Sequence, residues 1–128
     1  MNVLLAEDNP DDRLLTELAF EGSASITELH MVENGEQALA FLRTQPPFEH
    51  VPRPDVLLLD VNMPGLSGVD VARHVRADPG LSGIPVLLLV SSPGDIERWE
   101  SRGVPADGYL VKPVDPDALT SLLAGLRG

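Results

Sequence analysis

The chain has 128 residues, no cysteine and a formal charge of −11, which fits one domain spanning 1–128 and excludes disulfides, thiolate nucleophiles and cysteine-rich zinc sites. Twenty acids against nine bases repel the phosphate backbone whose neutralisation drives most nucleic-acid binding, so nucleic acid is not expected as a partner. No apolar stretch approaches the ~20 residues of a membrane helix and the N-terminus lacks the basic segment of a signal peptide, so no membrane association is expected and the cytoplasm is the expected compartment.

Short apolar runs alternate with segments of helical period, the pattern of βα repeats around a parallel sheet. The first run, Asn2–Ala6, ends in Glu7-Asp8, and Asn9-Pro10-Asp11-Asp12 then sets a cap residue before proline at the first helical position, with acids in the first turn. A second strand is predicted over residues 26–32, followed by Asn34 and Gln37 at capping-box spacing. Residues 45–54 are rich in proline and read as an exposed connection. The third strand, Val56–Asp60, is a run of Val and Leu closed by an acid, the composition of a strand covered on both faces by helices. Ser67 and Asp70 repeat the capping-box spacing with Asp in place of Glu or Gln. A fourth strand, Val86–Val90, and a fifth over residues 109–111 follow, the fifth ending in Lys112, the only lysine in a chain whose other fixed cations are arginines. Asp115-Pro116-Asp117 opens the last helix, whose Leu119, Leu122, Leu123 and Leu126 form one apolar stripe for the core.

In an open parallel sheet, ligands gather in the crevice outside the carboxyl ends of the strands. The strand endings therefore bring Glu7, Asp8 and Asp60 together with Lys112, a set able to hold a divalent cation and a phosphoryl group. The turn after the first strand has no glycine before Gly22, which argues against a dinucleotide fingerprint or a P-loop. The same carboxylates suit Mg²⁺, a hard cation that prefers oxygen donors. Any one of them could instead be a cap, but three acids at adjacent strand ends repel one another, and Lys112 alone cannot neutralise three. His30, His50 and His74 fall on separate elements without ligand spacing. Ile96 and Trp99 on the fourth helix are expected first to pack against the sheet and second to mark a partner surface.

Taken together and in order, these residues resemble the receiver domain of two-component response regulators over essentially the whole chain. Glu7-Asp8 match the family's acidic pair, Asp60 its phospho-accepting aspartate, and Asp60-Val61-Asn62-Met63-Pro64-Gly65-Leu66-Ser67-Gly68 the loop that follows. Tyr109-Leu110-Val111-Lys112-Pro113 match its last strand, with the switch aromatic, the active-site lysine and the proline that follows a cis bond. The resemblance implies a flavodoxin-like (βα)5 three-layer α/β sandwich with strand order 2-1-3-4-5. It implies Mg²⁺, or Mn²⁺, held by Glu7, Asp8, Asp60 and the Asn62 carbonyl. Asp60 would take a phosphoryl group from a phosphohistidine, with Lys112 and the N–H groups of Asn62 and Ser91 on the phosphoryl oxygens. Such a protein is a signalling switch, not a turnover enzyme.

More narrowly, Glu7-Asp8-Asn9-Pro10, Ala38-Leu39-Ala40-Phe41-Leu42-Arg43 before the proline-rich loop, and Arg76-Ala77-Asp78-Pro79 leading to Ile84-Pro85 are similar to the small single-domain regulators of phytochrome-type sensor histidine kinases. The implied partners are such a kinase, an unidentified downstream protein, and a second copy through the face of the fourth helix, fifth strand and fifth helix. With nothing after Gly128, output is expected to pass through another protein.

One position departs from the family pattern. Counting back from Tyr109 and Lys112 puts Val90 where the family has a Thr or Ser that hydrogen-bonds the phosphate; a register one residue different would bring Ser91 there instead. Val90 is the favoured reading and keeps open a pseudo-receiver that works without phosphate. An aspartate-nucleophile phosphatase of the haloacid dehalogenase type is disfavoured, because Asp60-Val61-Asn62 lacks that family's second acid and its nucleophile follows the first strand of the core.

Overall fold

The computed structural model describes residues 1–21 and 28–127. Strands and helices alternate along the chain: β1 (Asn2–Ala6), α1 (Pro10–Glu21), β2 (Glu28–Val32), α2 (Gly35–Leu42), β3 (Val56–Asp60), α3 (Gly68–Ala77), β4 (Val86–Val90), α4 (Pro93–Ser101), β5 (Gly108–Val111) and α5 (Pro116–Arg127). All strand pairs are parallel and the sheet order is β2-β1-β3-β4-β5, so the winding direction reverses between β1 and β3 and opens a crevice at their carboxyl ends. The expected flavodoxin-like α/β architecture is the one found. Of the strand predicted over 26–32, residues 26 and 27 lie outside the described residues. The last strand begins one residue earlier than predicted, because Gly108 already pairs with Leu87.

Strand alternation divides the core into two layers. Leu57, Leu59, Leu88 and Val90 face α2 and α3 with Ala38, Phe41, Val71 and Val75, while Leu58, Leu87, Leu89 and Leu110 face Ala19 and Phe20 of α1 and Leu119 and Leu123 of α5. β3 and β4 are buried along their whole length, as continuous Val/Leu runs require. Within the α5 stripe, Leu119 and Leu123 are fully buried, and Leu122 and Leu126 pack at its margin.

The helix starts follow from local chemistry. Asn9 Oδ1 accepts the N–H groups of Asp11 and Asp12 at 2.8 and 3.2 Å, capping α1 ahead of Pro10. Ser67 and Asp70 form a complete capping box. At α2 the Asn34 side chain accepts from Gln37 N, but the Gln37 side chain reaches past the cap to Glu33 N at 2.8 Å, a variant of the reciprocal box. The proline-rich connection is not simply exposed as predicted: Phe48 and Val51 pack on the core, and the Phe48 ring lies 5.3 Å from that of Phe41. Its apolar residues outweigh the loop composition that surrounds them.

Candidate functional site

Backbone pairing extends one residue beyond three strands and fixes the residues that follow. Glu7 N donates to Val32 O at 3.1 Å, Val61 N to Leu89 O at 3.1 Å and Lys112 N to Val90 O at 2.9 Å. Ala6 pairs with Leu59, so Glu7 and Asp60 emerge side by side at the reversal point of the sheet. Glu7 and Asp60 are buried, Asp8 is exposed, and one carboxylate oxygen from each lies within 4.8 Å of the others. Among the described residues this is the group of acids with metal-holding geometry.

Lys112 reaches into the group from the far edge of the sheet. Its Nζ donates to Asp60 Oδ2 at 2.6 Å, to Asp12 Oδ2 at 2.9 Å and to Glu7 Oε2 at 3.3 Å. Asp60 Oδ1 accepts the Asn62 N–H at 2.8 Å, and Glu7 Oε1 the Asn9 N–H at 3.1 Å. The loop after Asp60 closes tightly, because a Cβ on Gly68 would sit 2.4 Å from the Asp60 carbonyl oxygen, and Gly65 takes φ +73°, a left-handed conformation that favours glycine. The Lys112–Pro113 bond is cis.

Burial pushes the Glu7 carboxyl up, and a hydrogen bond with Asp60 pushes it further, to about 8. At neutral pH and without a cation, Glu7 therefore holds a proton, which relieves the repulsion foreseen among three acids. Burial opposes the charge on Lys112, but its hydrogen bonds to Asp60 and Asp12 and the nearby negative charges outweigh that, and its pKa is raised. The resulting pocket is a preformed set of hard oxygen donors with one ammonium, matching the donor preference of Mg²⁺ or Mn²⁺.

Val90 is fully buried, in the same apolar layer as Tyr109 and Val111. Ser91 is exposed and its Oγ accepts from Asn62 Nδ2 at 3.4 Å, linking the two loops at the rim. Trp99 packs against the sheet layer, flanked by Arg98 and Arg102 at 5.5 and 5.2 Å. His30, His50 and His74 lie on three separate segments, β2, the proline-rich loop and α3, and none belongs to the acidic group. Two contributors escaped the sequence reading. In the sequence Asp12 reads only as a helix-start acid, yet it bonds Lys112; it lies one turn beyond Asp8 on a helix rising from the site, and that spacing is the signal for it. Arg13 Nη1 donates to the Glu7 and Asp8 carbonyls at 2.8 and 3.2 Å, bracing the acidic turn.

Residues 3–124 match the family model described as the response regulator receiver domain. The chain belongs to this family. A receiver domain of this kind is similar to Response regulator Rcp1 of Synechocystis sp., 32% identical over 125 residues covering 98% of this chain and 85% of Rcp1. The Mn²⁺-bound form of Rcp1 superposes with TM-score 0.76 at 31% identity, covering 98% and 91% of the two chains. The bacteriophytochrome response regulator RtBRR is 34% identical with TM-score 0.90, over 98% of this receiver and 76% of RtBRR. The phosphorylated cyanobacterial phytochrome response regulator RcpA is 30% identical with TM-score 0.78, over 98% and 90%. No helix among the described residues is long and apolar enough to cross a membrane.

Proposed function

We propose that this receiver takes a phosphoryl group from a phosphohistidine of a sensor histidine kinase onto Asp60. The observation that carries the reading is the buried Asp60 carboxylate with one oxygen 2.6 Å from Lys112 Nζ, beside Glu7 and Asp8. An Asp60 oxygen attacks phosphorus, the P–N bond to the imidazole breaks, and the imidazole takes up a proton as the acyl phosphate forms. Glu7, Asp8, Asp60 and the Asn62 carbonyl would hold Mg²⁺, which neutralises phosphoryl charge when bound. Lys112 and the N–H groups of Asn62 and Ser91 supply donors to the phosphoryl oxygens.

RtBRR and RcpA are phytochrome regulators by name, which supports a phytochrome-type kinase as the partner here. RcpA was solved phosphorylated and Rcp1 with Mn²⁺, which supports both the covalent step and the divalent cation. Output then passes by contact with another protein in the cytoplasm, with the α4-β5-α5 face as the contact or self-association surface, and residues 1–128 acting as one receiver unit. The buried Val90 favours a second reading, an interaction module that does not use phosphate. Incubation with acetyl phosphate and Mg²⁺, followed by intact mass, separates the two. Wild type should gain one phosphate and Asp60→Asn none; an acid-stable, base-labile phosphate on Asp60→Asn would refute the assignment, and no adduct on wild type would favour the second reading.

A further inference from the structure

A lysine ammonium has three N–H donors and no acceptor, and at Lys112 all three end on side-chain oxygens of acidic residues: Asp60 at 2.6 Å, Asp12 at 2.9 Å and Glu7 at 3.3 Å. Glu7 and Asp60 belong to the converging acidic group; Asp12 does not. Resting on the phosphoryl-transfer reading above, both of those partners must change when the site is loaded, since Glu7 turns an oxygen toward the cation and an Asp60 oxygen becomes the ester oxygen of an acyl phosphate. Asp12, on the first turn of α1, stands outside that exchange. We infer that Asp12 is a positioning residue for Lys112, holding the ammonium in the site while its other bonds are traded for one to a phosphoryl oxygen.

Lys112 needs such a hold because its four-carbon stem is flexible and its ammonium is strongly hydrated. The side chain is 17% exposed, so water is within reach as soon as Asp60 releases it. Asp12 also adds negative charge near an incoming anion. Its side chain is 30% exposed and that repulsion is screened, whereas the 2.9 Å bond to a mostly buried ammonium is not, so orientation outweighs repulsion. A role confined to the helix end would fall equally on the neighbouring Asp11, and would touch stability alone.

The chain's single lysine makes the test unambiguous, because isotopically labelled lysine gives one ammonium NMR signal. In wild type that signal should exchange slowly with water in Mg²⁺ alone and after beryllofluoride, a mimic of the phosphoryl group on Asp60, is added. Asp12→Ala should broaden the loaded signal and weaken beryllofluoride binding about tenfold, and Asp12→Asn, which keeps an acceptor oxygen, should fall between; thermal unfolding checks that both variants fold. A loaded signal and beryllofluoride affinity in Asp12→Ala equal to wild type, or tighter binding in that variant, would overturn the inference and leave Asp12 as helix-end charge. Failure of wild type to bind beryllofluoride would overturn the phosphoryl-transfer reading and this inference with it, and is recognised from the wild-type sample alone.

Discussion

The two sides of the crevice treat their polar atoms in opposite ways. Around β1, β3 and the end of β5, the Lys112 ammonium has an acidic side-chain oxygen for each donor, both oxygens of Glu7 and of Asp60 accept hydrogen bonds, and Arg13 braces the turn behind them. On the side of β4, β5 and α4, the buried Tyr109 hydroxyl and Trp99 Nε1 have no hydrogen-bond partner among the described residues, and Val90, in the same layer at the end of β4, is apolar. α4 buries no residue, whereas α3 buries Val69, Val71, Ala72 and Val75. An unpaired buried polar group costs about 1–3 kcal/mol, and a helix with few buried contacts opens at low cost. The pocket is thus preorganised for its chemistry, while the adjoining face is loosely held. Substitutions in the first region should decide whether the site loads, and those in the second what loading does.

The sharpest way to break that division is at Asp8. It is the exposed member of the acidic group, so its removal should spare the fold. Asp8→Ala should abolish measurable binding of Mg²⁺ at millimolar concentration, and phosphorylation with it. Metal-free thermal stability should be unchanged or higher, because a like charge is removed from the cluster. Calorimetric titration is the check, and wild-type Mg²⁺ affinity in the variant would move the cation to other residues.

How far this division was legible in the sequence depended on what each residue's role required. The fold and the meeting of Glu7, Asp8, Asp60 and Lys112 could be read because parallel strands expose their endings at one edge, so a residue's place after its strand is enough. Asp12 could not be read in the same way, since its bond to Lys112 depends on the angle at which α1 leaves the sheet. An acid in a first helical turn already has a local explanation. The protonated state of Glu7 depends on complete burial beside Asp60, which no spacing encodes. The orphaned Tyr109 hydroxyl likewise depends on how its side chain is buried in the folded core.

A smaller effect sharpens the electrostatics of the pocket. Glu7 is held at about 8 from an ordinary 4.5, so between these values the folded protein keeps a proton that the unfolded chain has lost. Metal-free stability is then fully supported by this group below about pH 4.5 and falls as pH rises toward 8, with a limiting slope of ~1.4 kcal/mol per pH unit. Glu7→Gln should flatten that dependence, and Mg²⁺ should bind wild type more tightly as pH rises because binding displaces the proton. Urea unfolding from pH 5 to 8 tests it, and equal pH slopes in wild type and Glu7→Gln would assign the proton to another group.

The smallest and most discriminating change lies at Val90, where the two regions meet. Its side chain is fully buried on the face of Tyr109, so phosphorylation gains no hydroxyl bond there, and Tyr109 and α4 should move little. Val90→Thr puts a hydroxyl among apolar neighbours, which should destabilise the unloaded protein by about 1–3 kcal/mol if it stays unpaired. In the loaded state the same hydroxyl can donate to a phosphoryl oxygen, a charge-assisted bond contributing about 1.5–3 kcal/mol. Unloaded and loaded stabilities should therefore move in opposite directions, and the gap between them measures the coupling that wild type lacks. Tyr109 and Trp99 are the only residues of their kinds, so their fluorescence and ring NMR signals report this face alone. Adding beryllofluoride with Mg²⁺ should shift both signals more in Val90→Thr than in wild type. Equal, large shifts in the two proteins would mean that Ser91 already supplies the hydroxyl and that the loose face is coupled to the site without help from position 90.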